Sequence, residues 1–253
     1  MDENTTEQLQ LLDSLKAYRS KYDRLTKAPS DAEPGQFFLG NGQFGSVDAE
    51  LMYAMIRHLK PKQVVEVGSG FSTALIALAV ADTVAEAKRN NKPLKVRFES
   101  VDPVAPGFSY KVRGANLTVK RLQDTDMLSI LRPGDMLIVD SSHIWTETGE
   151  VKAIFDALPA LRGVYVHFHD IFLPYDYPEQ WADRGYDEQV HLKAFLEANP
   201  EWKVLLAANQ LHRDEPDALA DAIGSYDNAR PIGPGSFWIH APAKRPISKK
   251  RVA

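Results

Sequence analysis

The 253-residue chain contains no cysteine. That excludes disulfides, thiolate metal sites and a cysteine nucleophile, so any chemistry must run on oxygen and nitrogen groups. No stretch approaches the roughly 18 apolar residues of a membrane span, and the acidic, polar residues 1–7 lack the basic and apolar runs of a secretion signal. Both absences give the expectation of a cytoplasmic protein with no membrane partner. An excess of positive charge is also missing, since 30 Lys and Arg face 34 Asp and Glu for a net charge of −4. Binding a phosphate backbone takes a concentrated basic surface, so nucleic acid is not an expected partner. Basic residues crowd only at Lys244, Arg245, Lys249, Lys250 and Arg251, which read as a solvated, disordered tail. There are no internal repeats and no low-complexity segments.

What is present is ordinary for a globular enzyme or binding protein: 44% hydrophobic and 25% charged residues, enough for one large core with an added arm. Three segments are expected: an N-terminal helix and lid-like loop over 1–45, a main domain over 46–241 and the basic tail over 242–253. Leu11, Leu15, Tyr18, Tyr22 and Leu25 alternate at spacings of four and three, which places an apolar stripe on a helix within 7–27. That stripe can cover the domain or pair with a second copy, so a homodimer stays open. Residues 29–45 carry Pro34, Gly35, Gly40, Gly42 and Gly45 and read as a loop. Beyond them, strands are predicted at 64–67, 96–101, 117–120, 136–139, 163–168, 202–207 and 236–240. Helices are predicted at 46–59, 72–88, 147–158, 187–199 and 217–223. This alternation describes a doubly wound, Rossmann-like α/β fold with a seven-stranded sheet, mostly parallel and joined by right-handed crossovers.

The run Val64-Val65-Glu66-Val67-Gly68-Ser69-Gly70-Phe71-Ser72-Thr73 is a β-branched strand breaking into a small-residue turn that opens a helix. Glycines there let the backbone bend and approach a ligand that a side chain would block. Thr73 stands where a dinucleotide fingerprint needs its third glycine. An acidic Glu66 suits a ligand carrying an ammonium and a sulfonium better than one carrying phosphates, and those charges describe S-adenosylmethionine. Glu66, Gly68, Ser69, Gly70 and Ser72 are therefore the first candidate cofactor residues.

Ligands of open α/β sheets lie outside the carboxyl ends of the strands, so the polar residues that follow each strand are the next candidates. Asp102 can accept both ribose hydroxyls. Gln123 and Asp124 can meet the adenine amino group, although Asp124 serves equally as N-cap of a helix reaching Leu131. Asp140 and Asp170 end the fourth and fifth strands, which lie about 4.8 Å apart in the strand order that the resemblance described below implies. Two such anions repel unless a cation bridges them, and Mg²⁺ or another divalent metal would also lower the pKa of a bound substrate hydroxyl. The alternative is a carboxylate that caps a helix or pairs with Arg162 or Lys152. His143 suits proton abstraction from the acceptor. His169 suits a metal ligand or a partner behind one, and His167 a core position. Phe172, Tyr175, Tyr177 and Trp181, in a Pro-rich segment, either wall an acceptor pocket or cover the sheet.

Taken together, Val-Glu-Val-Gly-Ser-Gly-Phe-Ser-Thr, Glu-Ser-Val-Asp-Pro, Met-Leu-Ile-Val-Asp-Ser-Ser-His and Val-His-Phe-His-Asp-Ile-Phe-Leu-Pro-Tyr-Asp-Tyr-Pro resemble class I S-adenosylmethionine-dependent methyltransferases of the family 24 type. The resemblance runs from about Phe44 to His240 and includes Asp48-Ala-Glu-Leu-Met-Tyr and Gly-Ser-Phe-Trp-Ile. It implies an antiparallel last strand, O-methylation of a small hydroxylated acceptor, and Asp140 and Asp170 as acidic metal ligands. Related metal-dependent enzymes often show Asp-Gly-Asp-His where this chain has Asp-Ser-Ser-His. The competing readings are an iron oxygenase built on His143, His169 and a carboxylate, and a non-catalytic binding protein on a degenerate methyltransferase fold. A nicotinamide oxidoreductase fits least.

Overall fold

A computed structural model describes residues 4–230 and 232–243; the basic cluster from Lys244 onward lies outside the described residues. An N-terminal arm, α1 (Thr5–Leu15) and α2 (Arg19–Tyr22), leads through a loop to α3 (Asp48–Leu59) and β1 (Gln63–Val67). Then follow α4 (Phe71–Arg89), β2 (Arg97–Val101), β3 (Asn116–Thr118), β4 (Met136–Val139), α5 (Glu150–Ala157), β5 (Tyr165–Phe168) and α6 (Glu188–Ala198). The chain closes with β6 (Lys203–Ala207), α7 (Ala208–Asp214), α8 (Pro216–Ala222) and β7 (Phe237–His240). The seven strands make one sheet in the order β3-β2-β1-β4-β5-β7-β6, parallel except for β7, which runs antiparallel to both β5 and β6.

Strand alternation divides the core into two layers. Val64, Phe98 and Met136 meet α3 and α4 on one face, while Val65, Val67 and Val139 meet α5 and α6 on the other. Val64 to Val67 are all buried, which is why the central strand reads as apolar without alternation apart from Glu66.

The arm covers its own domain. Leu12, Leu15, Tyr22 and Leu25 are buried in the α3/α4 layer, each worth about 1.5–3 kcal/mol of transfer free energy when fully removed from water. Gln8 is buried as well and accepts the Ala207 amide at 2.7 Å, while the Tyr22 hydroxyl donates to the Ala222 carbonyl at 2.6 Å. The expected stripe is thus turned by one residue over its first half: Leu12 is buried and Leu11 only partly so. A 3-10 turn at Lys16–Tyr18 breaks the helix and changes its phase. The 29–45 loop is anchored too: Phe37 and Phe44 are buried in the core, and the Leu39 and Gly40 amides donate to the Thr26 and Lys27 carbonyls at 2.7 and 3.0 Å.

Candidate active site

The turn after β1 is shaped by one steric demand. Gly68 has φ +95°, and a Cβ there would overlap the Asp140 carbonyl oxygen at the end of β4; Gly70 faces open space. The residue in the third-glycine position has its own task. Thr73 Oγ1 accepts the Gly70 amide at 2.9 Å and donates to Glu66 Oε2 at 2.7 Å, while Ser72 Oγ donates to Glu66 Oε1 at 2.7 Å. Glu66 is fully buried beneath the start of α4. Burial pushes its pKa up to about 8, against the two hydroxyls that favour the charged form. Its carboxyl therefore fastens the turn to the strand and sits below the cleft.

Asp102, after β2, is half-buried at the rim of the turn. It accepts Ser69 Oγ at 2.9 Å and the Val104 amide at 2.7 Å. Gln123 and Asp124 lie further out. The Gln123 amide donates to the Thr148 carbonyl at 2.5 Å. Asp124 is held by Arg121 at 3.0 and 3.1 Å on the surface. The helix expected from Asp124 to Leu131 is replaced by 3-10 turns at Leu122–Asp124 and Met127–Ile130. Asp124 ends the first of these rather than capping a helix, because the arginine three residues earlier takes its carboxylate.

Beside this turn the ends of β4 and β5 bring four charged side chains into a closed ring. His143 Nε2 lies 3.6 Å from Asp140 Oδ1 and 3.7 Å from Asp170 Oδ2, and His169 Nδ1 lies 3.3 Å from Asp140 Oδ1 and 3.4 Å from Asp170 Oδ1. Each imidazole has another carboxylate behind it: Glu188 at 2.9 Å from His143 Nδ1, and Asp48 at 3.7 Å from His169 Nε2. Asp48 is fixed by the Gly235 and Ser236 amides at 3.2 and 2.7 Å. Phe44 lies against the His169 ring and Tyr186 against the His143 ring, with centroids 4.7 and 4.6 Å apart. Neither Arg162 nor Lys152 reaches Asp140. Lys152 pairs with Asp156 at 2.7 Å, and Arg162 bonds backbone carbonyls.

These neighbours set the protonation states. Burial alone would lower the pKa of His143, but its bonds to Asp140 and Glu188 push it up to about 10. His169 is likewise raised well above its ordinary value: burial opposes this, and Asp140 and Asp170 prevail. Asp140 is held below the usual carboxylate range by the two imidazoles despite its burial. Asp170 moves the other way, raised by burial. Both imidazoles thus carry a proton near neutrality, and the aspartates are the members that open to the cleft, with side chains 25% and 17% exposed against 4% and 7% for His143 and His169. His167 lies in the core, as expected: burial lowers its pKa to about 3, and Nε2 meets Ser236 Oγ at 3.0 Å.

The expected metal set Asp140, His169 and Asp170 is brought together, but as ion pairs. Among the described residues no group of three or more His, Asp or Glu is arranged to hold a metal ion. The repulsion between the two aspartates, which pointed to a bridging cation, is already relieved by the imidazoles between them.

The aromatic segment divides. Phe172 is buried and meets Trp181 and Tyr177 edge-on at 5.1 and 5.9 Å, and these reach His143 through Tyr186. Tyr175 turns the other way, its hydroxyl on Asp214 at 2.5 Å and its ring beneath the Arg213 guanidinium at 4.3 Å. Between the two branches lies a cleft of about 590 Å³, which Asn209, His212 and Arg213 help to line.

Glu188, Asp48, Phe44 and Tyr186 were not among the sequence-derived site residues. Asp48 carried a weak signal, an acidic residue opening a helix. Glu188 carried none beyond its place in a first helical turn; it reaches His143 because the Asp187 and Glu188 amides both donate to the His143 carbonyl, at 3.1 and 3.2 Å.

No protein-family profile matches the chain. An uncharacterized protein of Archaeoglobus fulgidus is 30% identical over 134 residues, which is 50% of this chain and 55% of that protein; the chain thus spans about half the length of the curated relative it matches. Among solved structures, the O-methyltransferase TomG from Streptomyces achromogenes, involved in tomaymycin synthesis and in complex with SAM, is 13% identical over 92% of this chain and 89% of its own, with a TM-score of 0.47. The SAH-bound methyltransferase PaMTH1 of Podospora anserina is 17% identical over 94% and 96%, also with a TM-score of 0.47. Scores below 0.5 at such identities give these likenesses no weight for the chemistry of this chain.

Proposed function

We propose that the protein is an S-adenosylmethionine-dependent methyltransferase that acts on a hydroxyl of a small acceptor. One observation carries the reading: the Gly68-Ser69-Gly70 turn and Asp102 lie at the carboxyl ends of β1 and β2, and the turn packs directly on Asp140 of the buried His/Asp ring. A candidate ligand cradle and an acid–base cluster therefore lie side by side at the strand ends, where open α/β sheets bind ligands. The residues fit the cofactor. Gly70 leaves open space beside the turn, and Asp102 has acceptor capacity beyond its two bonds for a pair of ribose hydroxyls. When bound, the cofactor supplies an electrophilic methyl group on a positively charged sulfur.

The chain's own part is to position and to move a proton. Ser69 holds Asp102 at the rim. Glu66 keeps the turn in place through Ser72 and Thr73. Asp140, kept ionised by two imidazolium groups, presents a fixed negative charge toward the cleft. Asp170 is the proton acceptor in this reading. It opens to the cleft, and its raised pKa makes it the stronger base of the two aspartates. His143, which the sequence suggests as the base, lies behind the aspartates, its Nδ1 held by Glu188 at 2.9 Å and its Nε2 facing Asp140 and Asp170 at 3.6 and 3.7 Å. Tyr177, Trp181 and Tyr186 form the apolar wall beside His143. No step runs through a metal.

The test is calorimetric titration of the purified chain with S-adenosylmethionine, in Mg²⁺ and again after chelation. Micromolar binding that is equal in both buffers is expected. No binding in either would overturn the reading, and binding in Mg²⁺ alone would return a metal to Asp140, His169 and Asp170.

A further inference from the structure

A second and larger cleft, about 980 Å³, runs between the N-terminal arm and α4. None of Gly68, Asp102, Asp140, His143 or Asp170 lines it. Its volume is at the upper end of the range for small-molecule sites. The floor is apolar. Ala74, Ala77, Leu78 and Ala81 fall at helical spacings on one face of α4, and the small alanines leave a channel beside Leu78, a large aliphatic side chain 40% exposed. Buried Leu25, Phe37 and Val112 close the sides.

The rim is cationic. Lys21, Arg24, Lys111 and Arg113 all line the cleft, and none of the four has an ion pair among the described residues. Elsewhere on the surface Lys16, Arg19, Arg121 and Lys152 each have a carboxylate partner. Of the two acids in the cleft, Asp82 is engaged by the Tyr53 hydroxyl at 2.6 Å and lies 3.7 Å from Arg57, which leaves Glu33 alone against four cations. In a chain with a net charge of −4, this is a local reversal of sign over an apolar floor.

We propose that this cleft is a second ligand site and that it takes an amphipathic anion, a phosphate head on an aliphatic or aromatic body. Lysine and arginine together supply the point charges and planar forks that recognise phosphate. The α4 channel with Leu78 takes the apolar part, whose burial adds about 25 cal/mol per Å². The site is separate from the cleft at the strand ends and does not rest on the methyltransferase reading.

The full chain is titrated calorimetrically with octyl phosphate below its micelle concentration, beside inorganic phosphate and octanol. Octyl phosphate is expected to bind at least about tenfold tighter than either half-molecule. The exposed double substitution K111E/R113E and, separately, L78D should each weaken it by about tenfold or more, with unchanged circular dichroism. The proposal is overturned if octyl phosphate does not bind, if both variants bind it like the wild type, or if inorganic phosphate binds equally well. S-adenosylmethionine binding, read on the same samples, reports separately on the other site.

Discussion

Arg57 and His143 are both buried charged side chains, 3% and 4% exposed, and their surroundings differ in kind. Arg57, on α3, donates to the Tyr53 hydroxyl at 2.6 Å and pairs closely with Glu86, and its partners Glu86 and Asp82 reach water. The backbone around it is regular helix. His143 has one close partner, Glu188 at 2.9 Å, and faces the two aspartates at 3.6 and 3.7 Å, beyond good hydrogen-bond distance. Both His143 and Asp170 sit at positive φ, +59° and +56°, a conformation that costs non-glycine residues energy and collects at functional sites. The first cluster has spent its bonding capacity on holding α3 to α4. The second keeps carboxylate oxygens at longer distances and holds two non-glycine residues at positive φ, features that support the site proposed above.

The difference can be broken at four points. The largest effect is expected from D170N, which keeps the shape and removes the proposed base: single-turnover methyl transfer should fall by about a hundredfold or more with cofactor affinity within about twofold. An unchanged rate would remove Asp170 from the chemistry. Next comes G68A, since its Cβ cannot coexist with the Asp140 carbonyl. Thermal unfolding should show a loss of at least about 2 kcal/mol, and calorimetry a loss of cofactor binding. Retention of both would separate the turn from the ring.

R57M should cost about 2 kcal/mol in denaturant unfolding, the worth of hydrogen bonds to a charged group whose partners are partly solvated, while turnover of the folded fraction stays at the wild-type level. A catalytic defect with intact folding would make the two clusters alike. The fourth point concerns Glu66, which has tight bonds like Arg57 but sits under the Gly-Ser-Gly turn. Its pKa is raised from 4.5 to about 8 in the folded state, so folding binds a proton between those values. The associated stability is complete below pH 4.5 and lost as pH rises through 8. E66Q cannot titrate, so its melting temperature should decline less between pH 5 and 8 than that of the wild type. Parallel profiles would show that Glu66 is ionised throughout.

Much of this was legible in the chain. The seven strands, their polar endings and the Gly-Ser-Gly turn follow from apolar runs of strand length stopped by small and acidic residues, which act locally. Asp140 and Asp170 were placed together by the strand order that the family resemblance implies, and β4 and β5 are indeed neighbours. Less was legible where a short helix had to be told from turns. The 3-10 turns before β4 and α7 immediately after β6 were missed, because a stretch of three to seven residues carries too little periodicity to read.

No described helix is long and apolar enough to cross a membrane, in keeping with the absence of any such run in the sequence. The sequence by itself determined the α/β class, the position of the Gly-Ser-Gly turn and the acidic residues at the strand ends, since each depends on neighbours a few residues away. Only the tertiary structure decided what those acids face. It brought Asp48 from α3 and Glu188 from α6 behind the two histidines, 95 and 45 positions away from His143, so that each imidazole stands between carboxylates and the proposal for the base passes from His143 to Asp170. Protonation depends on burial and on charges within a few ångströms, and those are set by how helices distant in sequence pack over the sheet.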